Sequence, residues 1–179
     1  DPVDLQAAEA WLAQPGNSLL TLADADYTQT LLEIADPPAV LYCKGRRELL
    51  GQPALGIVGS RNATPQGLRD AEAFAHALAD AGLTIVSGLA LGIDAAAHRG
   101  GLAGAGSSIA VIGTGLDRIY PARNQALARQ LASDGLIVSE FALGTAPMPG
   151  HFPRRNRIIS GLARGVLVVE AAPDSGSLI

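Results

Sequence analysis

Short apolar runs of strand length recur along this chain and alternate with longer segments whose apolar residues have helical spacing. The runs are Ala54–Val58, Leu83–Val86, Ile109–Ile112, Leu136–Val138 and Val166–Val169. Strands that are buried on both faces of a sheet read as continuous apolar runs of this kind. Their alternation with helices predicts an α/β domain built on a doubly wound, mostly parallel sheet with right-handed crossovers.

Four helices are predicted between these strands. The first begins after Thr64, a good N-cap, with Pro65 at the first helical position, and it ends at Gly82. The other three are expected over the segments Ile93–Ala103, Arg123–Ser133 and Pro153–Ala163. Every predicted connection therefore has a helix, as parallel strands require.

The residues before this core have a different charge. Residues 1–36 contain seven acids and no Lys or Arg, which leaves 13 basic against 10 acidic groups in the rest of the chain. Helices are expected at Leu5–Ala13 and Tyr27–Ala35, and a short strand at Val40–Cys43. We therefore divide the chain into an acidic helical lead-in, residues 1–36, and a core domain, residues 37–179.

Composition excludes several classes of protein. With 179 residues, 48% of them hydrophobic, and a net charge of -4, the chain can form a substantial core and is unlike a disordered one. No apolar stretch approaches the ~20 residues of a membrane-spanning helix. A single cysteine, Cys43, excludes an internal disulfide and multi-cysteine metal sites. The first residues lack the pattern of a signal peptide, so we expect a cytoplasmic protein.

The segments that follow the strands are rich in glycine and arginine. In an open parallel sheet, ligands bind outside the carboxyl ends of the strands. The segment 59–64 places Arg61 at a helix N-terminus, where free N–H groups favour an anion. Between Glu140 and Glu170 there is no acid, but there are four arginines and His151. These loops together favour a phosphate-bearing ligand.

Several catalytic and cofactor motifs are missing. The chain has no Gly-x-Gly-x-x-Gly, no phosphate-binding loop of the Gly-x4-Gly-Lys-Ser/Thr type and no Gly-x-Ser-x-Gly, and its three histidines have no paired metal-ligand spacing. We therefore predict no cofactor, no metal and no catalytic residue. Four carboxylates lie at or just after strand ends, so a paired-carboxylate hydrolase remains open, although helix capping or pairing with arginine is the favoured explanation. They are Asp94, Asp117, Glu140 and Glu170.

Six motifs, in order, resemble the DNA-processing protein A family of bacterial natural transformation, also called Smf. They lie in the segments 59–64, 87–94, 113–124, 139–140, 152–159 and 169–177. The resemblance covers about residues 19–179 and implies an extended Rossmann domain. It implies a binding protein, not an enzyme, that binds single-stranded DNA, protects incoming strands and helps to load the RecA recombinase.

The resemblance also implies which residues bind DNA. Arg61 is expected to bind phosphate, and the segment 152–157 to supply a stacking ring and a basic wall. The complete set of expected DNA-binding residues is Ser60, Arg61, Ser87, Gly88, Phe152, Arg154, Arg155, Asn156 and Arg157. For two of these residues a structural role is the alternative to DNA binding. Phe152 could instead pack against the core, and Arg157 could pair with Glu140 or Glu170.

Members of this family continue beyond the position of Ile179. The resemblance therefore predicts a chain truncated at its C-terminus, with any homodimer segment beyond that residue. Two other functions remain open: a nucleotide-processing enzyme similar to the phosphoribohydrolases, whose Pro-Gly-Gly motif is missing here, and a module that senses a nucleotide.

Overall fold

The computed structural model describes residues 2–171, which form one seven-stranded sheet flanked by helices. The strands are β1 Asn17–Thr21, β2 Val40–Gly45, β3 Ala54–Gly59, β4 Thr84–Ser87, β5 Ser108–Val111, β6 Leu136–Ser139 and β7 Val166–Val169. The helices are α1 Pro2–Leu12, α2 Gln29–Leu32, α3 Pro65–Asp80, α4 Ile93–Ala103, α5 Gln125–Asp134 and α6 His151–Leu162. Short 3-10 helices cover Arg47–Gly51 and Ala122–Asn124.

The strand order β1-β2-β6-β5-β4-β3-β7 confirms the predicted α/β fold with a mostly parallel sheet. The strands from β3 to β7 pair in parallel, and β1 and β2 extend the sheet by antiparallel pairing next to β6. From β3 the chain proceeds through β4 and β5 to β6 and then crosses to the other side of β3 to form β7. The strand order therefore reverses between β3 and β7, which is where doubly wound folds bind ligands.

Helices cover both faces of the sheet. On one face, α3 and α4 pack over Ile57 and Ile85, and α5 packs over Ala110 and Ile137. On the other face, α6 packs through Ile158 and its apolar neighbours. Every residue of β4, β5 and β6 is buried. This burial explains the mostly apolar sequences from which these strands were predicted.

The lead-in contributes a strand that the sequence pattern did not predict. β1 has the sequence Asn-Ser-Leu-Leu-Thr, which has no clear alternation, and it is defined by its antiparallel pairing with β2. Leu20, Tyr27 and Leu31 lie in the same hydrophobic cluster as Ile158 of α6. The lead-in is therefore not purely helical, and its described part shares the core of the following residues.

The predicted helices of the core are all present, with small shifts at their ends. Thr64 is the N-cap of α3, and its hydroxyl accepts a hydrogen bond from the N–H of Gly67 at 3.0 Å. α4 has the predicted bounds, and α5 begins two residues later than expected because a 3-10 turn precedes it. α6 begins at His151 rather than Pro153, which brings Phe152 into its first turn.

Candidate functional site

The carboxyl ends of β3 and β7 meet very closely at the point where the strand order reverses. A Cβ atom on Gly59 would lie 1.8 Å from the carbonyl oxygen of Val169, so only glycine fits there. Directly after it, the N–H of Ser60 donates to the carbonyl oxygen of Glu170 at 2.8 Å. The two chain segments are thereby joined immediately beyond the sheet.

The N-terminus of α3 is occupied by a carboxylate of the protein itself. The side chain of Glu170 accepts hydrogen bonds from the Thr64 N–H, at 2.7 Å, and from the Thr64 hydroxyl. It also lies where a Cβ atom on Gly67 would fall, 2.5 Å from its carboxyl carbon. The expectation of an open anion site at this helix end was therefore wrong, because the negative charge that a helix N-terminus attracts is supplied internally.

The glycine-rich loop after β4 is closed by hydrogen bonds of its own. Asp94, in the first turn of α4, accepts from the N–H groups of Gly88, at 3.1 Å, and Ala90, at 3.3 Å. The Ser87 hydroxyl is buried and donates to the carbonyl oxygen of Ile57 at 2.6 Å. Burial raises the pKa of Asp94, against the opposing effect of Arg155. Ser87 and Gly88 therefore build the floor of the site and present no group to solvent.

A buried histidine fixes the same loop from below. The Nε2 atom of His98 accepts from the Leu89 N–H at 3.2 Å, and its Nδ1 atom lies 2.8 Å from the Ser108 hydroxyl. That hydroxyl in turn donates to the carbonyl oxygen of Ile85. Asn124 completes the support by donating to the carbonyl oxygen of Leu89 at 2.8 Å. Only a neutral imidazole with its proton on Nδ1 satisfies all these bonds.

This arrangement predicts a loss of stability in mild acid. Burial lowers the pKa of His98 from 6.5 to about 3, so between these values the unfolded chain binds a proton that the folded chain does not. The stability contributed by neutral His98 is complete above about pH 6.5 and falls by about 1.4 kcal/mol per pH unit below it. Between pH 7 and pH 5, urea unfolding should report a decrease of about 2 kcal/mol from this group.

His98→Gln should flatten that pH dependence, although it lowers stability at pH 7. His76→Gln is the matched control, since His76 is exposed and pairs with Asp80 on the surface of α3. An unchanged slope in His98→Gln would show that other groups cause the acid sensitivity.

Arg155 is almost completely buried beneath the glycine loop. Its guanidinium donates to the carbonyl oxygen of Val111 and lies against Gly88, where a Cβ atom would be 1.9 Å from Nη1. Its Nε atom has no hydrogen-bond partner, and burial lowers its pKa while Asp94 opposes that shift. Arg155 therefore adds a positive charge below the surface, but in this conformation its side chain does not face solvent.

The helical geometry of α6 explains why neighbouring arginines differ so much. Successive residues on an α-helix point about 100° apart, so positions 155, 158, 159 and 162 share one face. That face is buried, and it consists of Arg155, Ile158, Ile159 and Leu162. Arg154 lies on the outer face of the helix and is exposed. Phe152 is half-buried and lies about one turn before Arg155.

An arginine and two aromatic rings form the most open part of the site. The guanidinium of Arg61 lies over the Phe152 ring, 5.4 Å from its centroid. The ring of Tyr120, on the segment that follows β5, lies 5.9 Å from that of Phe152 with an interplanar angle of 36°. Arg61 is exposed and has no carboxylate partner among residues 2–171. Tyr120 lies in one of the six motifs, 113–124, but it was not among the predicted site residues.

A second ring pair lies beside the first, at the start of α6. The His151 imidazole stacks on the Phe141 ring with 4.2 Å between centroids, and its Nδ1 atom lies 3.1 Å from the carbonyl oxygen of Gly113. The guanidinium of Arg154 lies over the other ring of this pair, 5.9 Å from the Phe141 centroid. The edge of the sheet therefore carries aromatic rings and exposed guanidinium groups side by side.

Arg157 is held in an internal ion pair. It forms a bidentate contact with Glu140, at 2.8 Å and 2.7 Å, and a further bond to Asp36 at 3.2 Å. The side chain of Glu140 is only 6% exposed, and that of Arg157 is 22% exposed. Arg157 was expected either to bind DNA or to pair with a carboxylate, and the structure shows it paired with Glu140. Together with the bond to Asp36, this pair connects the lead-in, the end of β6 and α6.

The remaining predicted residues take intermediate positions. Ser60 is half-buried, and its hydroxyl accepts from the Asn62 N–H at 3.1 Å. Asn156 is half-buried on α6. The last motif reaches residues 174–177, which lie outside the described residues.

Neither a metal site nor a membrane-spanning helix is found among the described residues. Within residues 2–171, no group of three or more His, Cys, Asp or Glu residues is placed to hold a metal ion. No helix in the same range combines the length and apolar character needed to cross a membrane. The exposed groups at the carboxyl edge are suited to bind phosphates through arginine and planar bases through aromatic rings.

Known proteins are similar to this chain in sequence and in fold. A model of the family described as DNA recombination-mediator protein A matches residues 18–179. Protein Smf from Synechocystis is 53% identical over 170 residues, which are 93% of this chain and 43% of that protein. The chain spans about half the length of the curated relatives that it matches.

Two solved structures are similar over most of the chain. DNA processing protein A (DprA) from Streptococcus pneumoniae has a TM-score of 0.88 and 43% identity, covering 98% of this chain and 60% of that one. DNA processing protein A from Helicobacter pylori, described for its single-stranded DNA binding mode, has a TM-score of 0.82 and 34% identity, covering 90% and 73%. The sequence, the fold and the matched family model agree, and this chain belongs to the DNA recombination-mediator protein A (DprA/Smf) family.

Proposed function

We propose that this chain binds single-stranded DNA at the carboxyl edge of its sheet. The observation that carries the proposal is the exposed Arg61 guanidinium over the half-buried Phe152 ring, next to Tyr120 and within reach of the α6 surface that bears Arg154. Unpaired bases stack on aromatic rings, and arginine binds the phosphates between them. The single-stranded DNA binding described for the Helicobacter pylori relative supports the same assignment.

The proposed role is binding without catalysis. Of the four carboxylates that kept a hydrolase open, Asp94 and Asp117 accept hydrogen bonds from backbone N–H groups. The other two are also engaged, Glu140 by Arg157 and Glu170 by Thr64. A carboxylate held in this way is a poor general base, because its lone pairs already accept strong hydrogen bonds. These contacts favour structural roles for these residues over a paired-carboxylate mechanism.

The nucleotide-processing and nucleotide-sensing alternatives are disfavoured by the same geometry. A mononucleotide in a doubly wound fold places its phosphate at the helix N-terminus beside the switch point. Here Glu170 fills that position at α3. The open surface lies further out, on Arg61 and the rings, where an extended strand has room to pass.

The salt dependence of binding tests this proposal. If three or four phosphates are contacted, log affinity for an oligothymidylate should fall against log salt with a slope of about -2 to -3, from about 0.7 per contact. Fluorescence anisotropy with a labelled oligomer measures this, with duplex DNA and thymidine monophosphate as competitors. Both competitors should displace the oligomer poorly. Affinity that does not depend on salt, or equal displacement by the mononucleotide, would contradict single-strand binding.

The wider role concerns the complete protein. As part of the same proposal, the complete protein protects incoming single strands during natural transformation and helps to load RecA recombinase, in the cytoplasm. A homodimer of the complete protein belongs to this proposal too.

A further inference from the structure

Tyr120 stands next to Phe152 and has more open surface than that ring. Its side chain is 50% exposed, whereas Phe152 is half-buried and lies under the Arg61 guanidinium. We propose that Tyr120 is a second base-stacking surface, so that the site holds two successive bases of a strand, one on each ring. This inference rests on the proposed single-stranded DNA binding and extends it to the segment between β5 and α5.

The relative placement of the rings suits two adjacent bases. Their centroids are 5.9 Å apart and their planes are tilted by 36°, so neither ring covers the whole face of the other. Phe152 is held in place from below, since a Cβ atom on Gly113 would lie 3.2 Å from its ring. The two rings therefore lie side by side at a tilt, and in the proposed arrangement each stacks on a different base.

Hydrogen bonds hold both ends of the segment that carries Tyr120. The Thr114 hydroxyl donates to the carbonyl oxygen of Arg118 at 2.6 Å, and the Arg118 N–H donates to that of Gly115 at 2.9 Å. At its other end, buried Asn124 donates to the carbonyl oxygens of Leu89 and Ala90. A ring presented from a preorganised loop loses little conformational entropy on binding, which favours a role in recognition.

Two arginines lie within three residues of Tyr120 in the chain. Arg118 and Arg123 are both exposed, and neither has a carboxylate partner in the described part of the chain. The acid of this segment, Asp117, is engaged elsewhere, accepting from the Gly144 N–H at 2.8 Å. A single exposed tyrosine is common on protein surfaces. An exposed ring on a hydrogen-bonded loop, beside another ring and in a segment with two exposed arginines, matches the composition of a nucleotide subsite.

The test compares two variants of Tyr120 with a variant of a similarly exposed aromatic residue elsewhere. Tyr120→Leu should weaken binding of an oligothymidylate by about 5- to 20-fold, the lower part of the range measured for one stacked base. Tyr120→Phe keeps the ring and should bind within about 2-fold of the wild type. Phe74→Leu, on the outer surface of α3 at 55% exposure, should have no effect. Phe152→Leu serves as the positive control for the first ring.

A dinucleotide competitor tests the two-base geometry itself. Against the wild type, a thymidine dinucleotide should compete better than thymidine monophosphate by about the factor that Tyr120→Leu removes. In Tyr120→Leu that advantage should disappear. Arg123→Ala should leave the preference for the dinucleotide in place but reduce the salt slope by about 0.7, if that arginine contacts one phosphate.

The outcomes separate this inference from the function on which it rests. If the wild type binds the oligomer and Phe152→Leu weakens it while Tyr120→Leu binds normally, the second stacking surface is wrong and single-strand binding stands. If the wild type prefers neither the oligomer nor the dinucleotide over the mononucleotide, both are wrong. Each variant must have the same unfolding midpoint as the wild type. If the midpoint of Tyr120→Leu is shifted, Tyr120→Ser is used in its place.

Discussion

Replacing Arg157 by alanine is expected to lower the free energy of unfolding by about 3 kcal/mol, the lower end of the cost of removing one partner of a buried ion pair, because Arg154 remains 3.4 Å from the carboxylate of Glu140. The partner here is Glu140, whose side chain is only 6% exposed and receives both guanidinium bonds. The bond from Arg157 to Asp36 would be lost as well, which weakens the attachment of the lead-in. Urea unfolding followed by circular dichroism measures the change in midpoint.

Two further variants separate burial from charge. Arg46→Ala breaks an exposed pair with Glu48 and should cost less than about 1 kcal/mol. Combining Arg157→Met with Glu140→Leu removes both charges and should recover most of the stability lost in Arg157→Ala. Arg157→Ala with a normal unfolding midpoint and weakened DNA binding would show instead that Arg157 contacts DNA directly.

Replacing Arg61 by alanine should weaken single-stranded DNA binding by about 1.5–3 kcal/mol, which is about 10- to 150-fold, the range for charge-assisted hydrogen bonds. Arg61 is exposed, has no carboxylate partner among the described residues and lies over Phe152 at the edge of the sheet. The Arg61 guanidinium can bind a phosphate of a DNA strand at this edge. When the guanidinium moves towards that phosphate, it uncovers more of the Phe152 ring face for a base. Arg61→Lys should recover part of the affinity, since the charge remains but the planar fork is lost.

Arg129→Ala is the matched control for this effect. Arg129 is equally exposed but lies in the middle of α5, away from the strand ends, so it should change affinity only through the long-range field. Both variants should unfold within about 0.5 kcal/mol of the wild type, as surface changes usually do. Equal losses of affinity for Arg61→Ala and Arg129→Ala at one salt concentration would mean diffuse attraction rather than a defined site.

The arginines of α6 show how far a sequence pattern reaches into a site. Arg154, Arg155 and Arg157 were predicted together as a basic wall, but Arg155 is buried and Arg157 is paired with Glu140. For Arg155, the spacing to Ile158, Ile159 and Leu162 is that of a core face, and this signal was present in the sequence. For Arg157 no local pattern distinguishes an internal partner from a phosphate.

The features that depend on a few neighbouring residues could be read from the sequence. The apolar runs of β3 to β6, the N-cap at Thr64 and the glycine at position 59 are local, because burial on both faces, capping and close approach each restrict the residue type directly. The strand ends then placed Arg61 and Phe152 at one edge, since all parallel strands end on the same side.

The tertiary structure alone decided which of those groups remain open to a ligand. Glu170 closes the N-terminus of α3 from 106 positions away, and Asp36 reaches Arg157 across 121. β1 likewise exists because β2 pairs with it, and Tyr120 belongs to the site because its loop lies beside α6. A charge or a short strand has no preferred partner in sequence, and its role is determined by the partner that folding brings within a few ångströms.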